Sequence, residues 1–307
     1  PDKERIAHTK WTLEALSDLS EILNIPMEQV SVNGKLGIGF GARGKPIPGI
    51  SGGAAAHYES GTKMINLTRA NGIGTLAHEW GHFLDNIMTP SMQGFLTENV
   101  NYKSIFVKST EEIPPGGIIE VKGKRGKVVR YCLDPEKKDS EYPFAKLNEG
   151  QIEPSPSSDY VRFKFYKGEV LLPEKESTGY ASIAKQISKK SKEWMQTACK
   201  EKESSGQDFS HISGSPYYNA PTECFARAFE AYIADKLAEN GRDNTYLAST
   251  YRTISSDGYL VYPQGEYRKE INRLFDQFFD DLRNSGELKK AIMKLSGKTF
   301  IFRKKQK

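Results

Sequence analysis

Cysteine is scarce in this chain: Cys132, Cys199 and Cys224 are the three among 307 residues, and they are widely separated. Neither a disulfide scaffold nor a CxxC metal ribbon can be built from them, so a reducing compartment is expected. No apolar run approaches the ~18–20 residues needed to span a bilayer. No N-terminal stretch combines the basic, apolar and small-residue blocks of a secretory signal. A cytoplasmic location with no membrane partner follows as the expectation. The chain opens at Pro1 rather than Met, which points to a segment of something longer. Excess charge is also modest, at +5, and the tail "FRKKQK" supplies four of the cations. A short basic terminus reads as solvated tail, whereas a nucleic-acid interface wants cations clustered on one face with interleaved aromatics.

The apolar pattern falls into three parts. "KERIAHTKWTLEALSDLSEIL" carries Ile6, Trp11, Leu13, Leu16, Leu19, Ile22 and Leu23 at near-helical spacing. "VSVNGKLGIGFG" reads as strand, "AAAHY" and "MINLT" as two strands about "ESGTK", and Asn71-Gly72 as the start of a helix ending at Thr89-Pro90. From about 90 to 177 the chain becomes β-rich: "PPGGIIEVKGKRGKVVRYCL" and "YVRFKFYKGEVLLP" each alternate about a Gly-containing turn. The polar "DPEKKDSEYPFAKLNEGQIEPSPSS" between them reads as an exposed loop. Helical periodicity returns in "SIAKQISKKSKEWMQTACKEK", "APTECFARAFEAYIADKLAEN" and "EYRKEINRLFDQFFDDLRN".

Histidine is nearly as rare as cysteine, with five residues, yet two of them stand in His78-Glu79-Trp80-Gly81-His82. Four helical residues turn by about 400°, so the two imidazoles lie one turn apart on one face and can reach one ion. Zinc accepts neutral imidazole nitrogen, and a catalytic zinc takes one further protein ligand while leaving a position for water. Glu79 then stands where it can take that water's proton. Gly81, without a side chain, lets another backbone approach between the ligands.

A third ligand must come from elsewhere, because no histidine follows His82 for more than a hundred residues. Asp85 is three residues beyond His82 and is better placed to orient an imidazole than to bind the ion. "PTECFARAFEAYI" offers Glu223 and Glu230 beside Phe225, Ala226 and Phe229, which can pack on the metal helix; a carboxylate emerging at such a contact needs a partner. Glu223 is favoured, and Glu230 reads as a salt-bridge residue. Arg227 can hold Glu223 or Asp85. Upstream, Tyr217 or Tyr218 can present a phenol to the oxyanion of a tetrahedral intermediate. "GFGARGK" fits the start of a phosphate-binding loop, but Pro46 and Pro48 follow where Ser or Thr and a helix are required. It reads instead as a turn-rich loop in which Arg43 can pair a carboxylate.

Taken together, "KLGIGFGARGKPIPG…AAAHYESGTKMINLTRANGIGTLAHEWGHFLDN", "ECFARAFEAYI" and "VYPQGEYRKEINRLFDQFF" resemble the first class of large polyvalent-protein-associated domains of phages and conjugative elements. That resemblance implies a zincin-type metallopeptidase domain, cytoplasmic in a bacterial or phage-infected cell. A shorter similarity, to the anthrax lethal factor type of zincin, pairs a HEFGH-like helix with a tyrosine loop and an EFFAEAF-like helix. It implies His78, His82 and Glu223 as zinc ligands, Glu79 as general base, and Tyr217 or Tyr218 as the loop tyrosine.

The expected architecture is α+β: a zincin-like metallopeptidase core of residues 1–89 and 178–307, its HExxH helix under a twisted mixed sheet, with a β-rich insertion over 90–177. The expected activity is zinc-dependent hydrolysis of a protein or peptide substrate. Two other classes compete: a nucleic-acid-associated module of a phage protein with a structural zinc, and an interaction scaffold using the hairpins of the insertion.

Overall fold

The computed structural model describes residues 2–41, 55–68, 72–89, 94–98, 102–114, 117–122, 128–137, 139–147, 160–161, 168–173, 179–249 and 258–295. Contacts divide the chain into two compact units, Pro1–Asn99 with Thr178–Lys307, and Val100–Ser177. The protein is mixed α+β, and no helix among the described residues is long and apolar enough to cross a membrane.

The larger unit begins with α1 (Asp2–Leu23). Thr12, Ala15, Leu16, Leu19 and Leu23 are buried, whereas Ile6, Trp11 and Leu13 of the expected apolar stripe are exposed. The buried set recurs every three or four residues on one arc, and the exposed three lie roughly 90–130° round the helix from its centre. After α2 (Met27–Val30) the expected strand is shorter than its apolar run: only Gly37–Phe40 forms β1. Val32, Asn33 and Gly34 all take left-handed φ, so the chain turns before it extends.

The two runs about "ESGTK" form an antiparallel pair, β2 (Ala56–Glu59) and β3 (Met64–Leu67), and β1 joins β3 in parallel, giving a mixed sheet ordered β1-β3-β2. Ile65 and Leu67 are buried, with Ile38, Phe40 and Tyr58 packed against the same core. Arg43 and residues 42–54 of the Gly- and Pro-rich loop lie outside the described residues.

Helix α3 (Leu76–Ile87) starts four residues later than the sequence suggests. The reason is tertiary. Gly74 N–H donates to Tyr246, Ser249 N–H donates to Gly74, and Ala77 N–H donates to Leu247, so the approach to α3 is spent on pairing with 246–249. Gly74 has φ +87°, and a Cβ there would strike Ser249 Oγ at 2.0 Å.

The three long helical patterns become α4 (Tyr180–Ser204), α7 (Pro221–Glu239) and α8 (Gly265–Ser285), with short α5 (Ser210–Ser213) and α6 (Pro216–Asn219) before α7 and α9 (Glu287–Leu295) after α8. Helix α7 packs against α3, α4 and α8. Its Phe225 and Phe229 meet Phe275, Phe278 and Phe279 of α8, and Trp80 of α3 stacks on Phe229 at 5.6 Å. Each fully buried aromatic contributes about 1.5–3 kcal/mol, so this cluster is what holds α3 and α7 in fixed register.

The smaller unit is a six-stranded antiparallel sheet ordered β4-β9-β5-β6-β7-β8: β4 (Tyr102–Val107), β5 (Ile118–Lys122), β6 (Val128–Leu133), β7 (Phe144–Lys146), β8 (Tyr160–Val161) and β9 (Gly168–Pro173). The first expected hairpin is β5–β6. Residues 162–167 of the second lie outside the described residues; of its described ends, β8 pairs with β7 and β9 pairs with β4 and β5. The expected loop also contains a strand: Phe144 and Ala145 of β7 are fully buried, a two-residue apolar signal lost in the surrounding polar sequence. Val107, Ile113, Ile119, Leu133, Phe144 and Val170 make this unit's own core.

Candidate metal centre

Helix α3 presents His78 and His82 from one face, with their Nε2 atoms 3.2 Å apart. Glu223, in the first turn of α7, points at both: Oε2 is 3.5 Å from His78 Nε2 and Oε1 is 3.3 Å from His82 Nε2. The three side chains form the one cluster of potential metal-ligating groups found among the described residues. Ligands at ~2.0–2.1 Å around a tetrahedral ion stand about 3.3–3.4 Å from one another. The spacing is therefore compatible with one dication held by the two imidazoles and the Glu223 carboxylate, whose two oxygens each face one imidazole.

The close approach of α3 to α7 depends on Gly81. A Cβ at this position would lie 3.1 Å from Phe229 Cδ1 and 3.3 Å from Ala226 Cα, tighter than most real contacts. The absence of a side chain lets the two ligand-bearing helices meet. At the other side Trp80 Nε1 donates to Val30 O at 3.1 Å, fixing the helix against the chain leaving α2.

Electrostatics bind the cluster together. Burial opposes the charged carboxylate of Glu223, but the His82 charge and hydrogen bonds from both histidines hold it well below the ordinary range. Burial likewise disfavours the His82 imidazolium, yet Glu223 overcomes it and raises His82 to about 9. For His78 burial wins and lowers the imidazole below its usual value. Burial also pushes Glu79 up to about 8, against the pull of His82, and the Tyr58 backbone N–H of β2 donates to its carboxylate.

The neighbouring residues sort more sharply than the sequence allowed. Tyr217 bonds the Glu223 carboxylate, and burial and that charge raise its phenol well above 10, so it stays a donor. The Tyr218 carbonyl accepts from Arg227 Nη2 at 2.6 Å, and its ring lies 5.7 Å from that guanidinium. Arg227 Nη1 is 3.4 Å from Glu223 Oε2, which settles it on Glu223 rather than Asp85. Asp85 is buried and accepts from Thr97 N at 2.9 Å and Thr97 Oγ1 at 2.7 Å, so it ties segment 94–98 to α3. Burial raises it to about 7. No imidazole N–H donates to Asp85 among the hydrogen bonds of the described residues.

Residues 210–286 match the family model "Large polyvalent protein-associated domain 1". The match runs from α5 to the residue after α8. It therefore contains Tyr217, Tyr218, Glu223 and Arg227 but not His78, Glu79 or His82. No curated protein and no solved structure matches the chain.

Three contributors went unread. The Tyr58 N–H to Glu79 and the Thr97 clasp on Asp85 are long-range backbone placements with no local signal. Glu230, read as a salt-bridge residue, does make an ion-pair contact, fully buried and with Oε2 4.0 Å from His78 Nδ1, a partner the sequence did not name. Its spacing of seven from Glu223 puts both on one side of a helix, and that was legible.

Proposed function

We propose that the chain is a zinc-dependent metallopeptidase domain of a larger polyvalent protein, with a zincin-like core in which α3 lies against the β1-β3-β2 sheet. The observation that carries this reading is the three-donor cluster at 3.2–3.5 Å spacing with Glu79 buried beside it. Two imidazoles and one carboxylate favour zinc over magnesium or calcium, which prefer oxygen ligands.

His78, His82 and Glu223 would hold the ion. Bound zinc supplies Lewis acidity, polarising a carbonyl and making water acidic near neutral pH. Glu79 accepts the proton of the attacking water and passes it to the leaving amine, two duties that suit a carboxylate whose affinity for protons burial has raised. Tyr217, protonated at every physiological pH, donates to the developing oxyanion. Strand β2 lies at the edge of the β1-β3-β2 sheet, and an extended peptide can add along it by main-chain hydrogen bonds at the groups that Glu79 does not already hold, the Tyr58 N–H being bound to Glu79.

The test is Glu79→Gln in the full chain. Metal content measured by mass spectrometry stays at the wild-type level, while cleavage of a random peptide library, read as new N-termini, falls by at least about 10²-fold. Equal cleavage by the variant would remove Glu79 from the mechanism, and absence of zinc in the wild type would remove the mechanism itself.

A further inference from the structure

Glu230 lies two turns beyond Glu223 on α7, has no exposed surface, and accepts a hydrogen bond from the Tyr262 hydroxyl at 2.8 Å through Oε2. The same Oε2 stands 4.0 Å from Nδ1 of His78. That nitrogen is buried and has no hydrogen-bond partner. The other ring nitrogen of His78 faces His82 and Glu223 at 3.2 and 3.5 Å. One end of the imidazole is thus committed to the ligand cluster, and the other looks at a carboxylate one ångström beyond the usual ~3 Å of a hydrogen bond. A buried polar nitrogen left unpaired is costly. A small rotation of the ring would bring it within hydrogen-bond reach of Glu230.

Resting on the metal centre proposed above, we infer that Glu230, steadied by Tyr262, is the positioning residue of His78. It accepts the Nδ1–H, fixes the tautomer in which Nε2 carries the lone pair, and raises the basicity of that nitrogen toward the ion. Tyr262 immediately follows the short 3-10 turn Gly258–Val261 that precedes α8, so the relay joins α3, α7 and the approach to α8 at one point. Arg227, one turn after Glu223, is committed to Glu223 and the Tyr218 carbonyl, which leaves the orienting task to the carboxylate one turn further.

The experiment compares zinc affinity of the wild-type chain, Glu230→Gln and Tyr262→Phe by competition with a chromophoric chelator. Visible spectra of the cobalt(II)-loaded proteins and ¹⁵N-histidine NMR of the zinc-loaded ones accompany it. Glu230→Gln is expected to weaken zinc about 10- to 100-fold and Tyr262→Phe by less, with an altered cobalt spectrum and a shifted His78 Nδ1 resonance. Melting of the metal-free proteins separates this from a general loss of fold: the metal-free Glu230→Gln protein should melt no lower than wild type. Should Glu230→Gln fail to fold, the affinity and spectra of Tyr262→Phe decide. Wild-type affinity and an unchanged cobalt spectrum in both variants would overturn the inference while leaving the metal centre intact. A wild-type chain that binds no zinc would overturn both.

Discussion

His82 and Glu79 carry the pH behaviour of the site. In the metal-free protein the Glu223 charge raises His82 to about 9, and burial raises Glu79 to about 8. A group whose value is raised on folding stabilises the fold below its unfolded value and loses that contribution as pH climbs through the folded one. The metal-free chain should therefore melt at progressively lower temperature between pH 7 and 9. Zinc affinity should move the opposite way: the ligand form of His82 is neutral, so binding releases its proton and tightens about tenfold per unit as pH rises toward 9. Calorimetry in buffers of different ionisation enthalpy checks this, and a proton release near zero at pH 7 would contradict it. Tyr217→Phe should lower turnover by about 10²–10³-fold while Tyr218→Phe stays within a few-fold of wild type. A larger loss from Tyr218→Phe would reverse the choice between them. The sequence could not make that choice, because adjacent aromatics on a four-residue helix differ only in the direction the turn gives them. His78 and His82 were legible because a helix of fixed pitch converts their spacing into proximity.

At the scale of elements, helices were read well and strand partners less so. Amphipathic periodicity is local, whereas the pairing of β9 with β4 and β5 joins segments far apart in the chain, and an alternating run carries no address for its neighbour. The late start of α3 is of the same kind, since pairing with 246–249 is invisible from 72–75 alone. The α3–α7 contact is the element on which the site depends. Gly81→Ala gains about 1 kcal/mol of helix propensity but meets Phe229 and Ala226 at 3.1–3.3 Å, so the two effects roughly cancel in stability. Gly81→Val adds two methyl groups to the same gap and should destabilise by about 1–3 kcal/mol. Urea denaturation measures both, and zinc affinity should drop in the valine variant because the two helices that carry the ligands are forced apart. A valine variant as stable as wild type would show that the helices do not need this contact.

For the whole molecule, the two units keep separate hydrophobic interiors. The large core draws on residues 15–96 and 183–292, the second cluster of that unit on residues 195–262, and the core of the smaller unit on residues 107–170. All the proposed ligands, the base and the tyrosine lie in the larger unit. Each unit's burial then stabilises that unit through its own core. Replacing residues 100–177 with a flexible Gly/Ser linker should accordingly leave a folded protein whose zinc affinity is within a few-fold of the full chain. Circular dichroism and chelator competition on the shortened protein measure the two halves of that statement. If the shortened protein folds and binds zinc but no longer cleaves peptides that the full chain cleaves, the six-stranded sheet selects substrate. If it fails to fold, the smaller unit is a structural requirement of the larger, and the separation of the cores misleads about their independence.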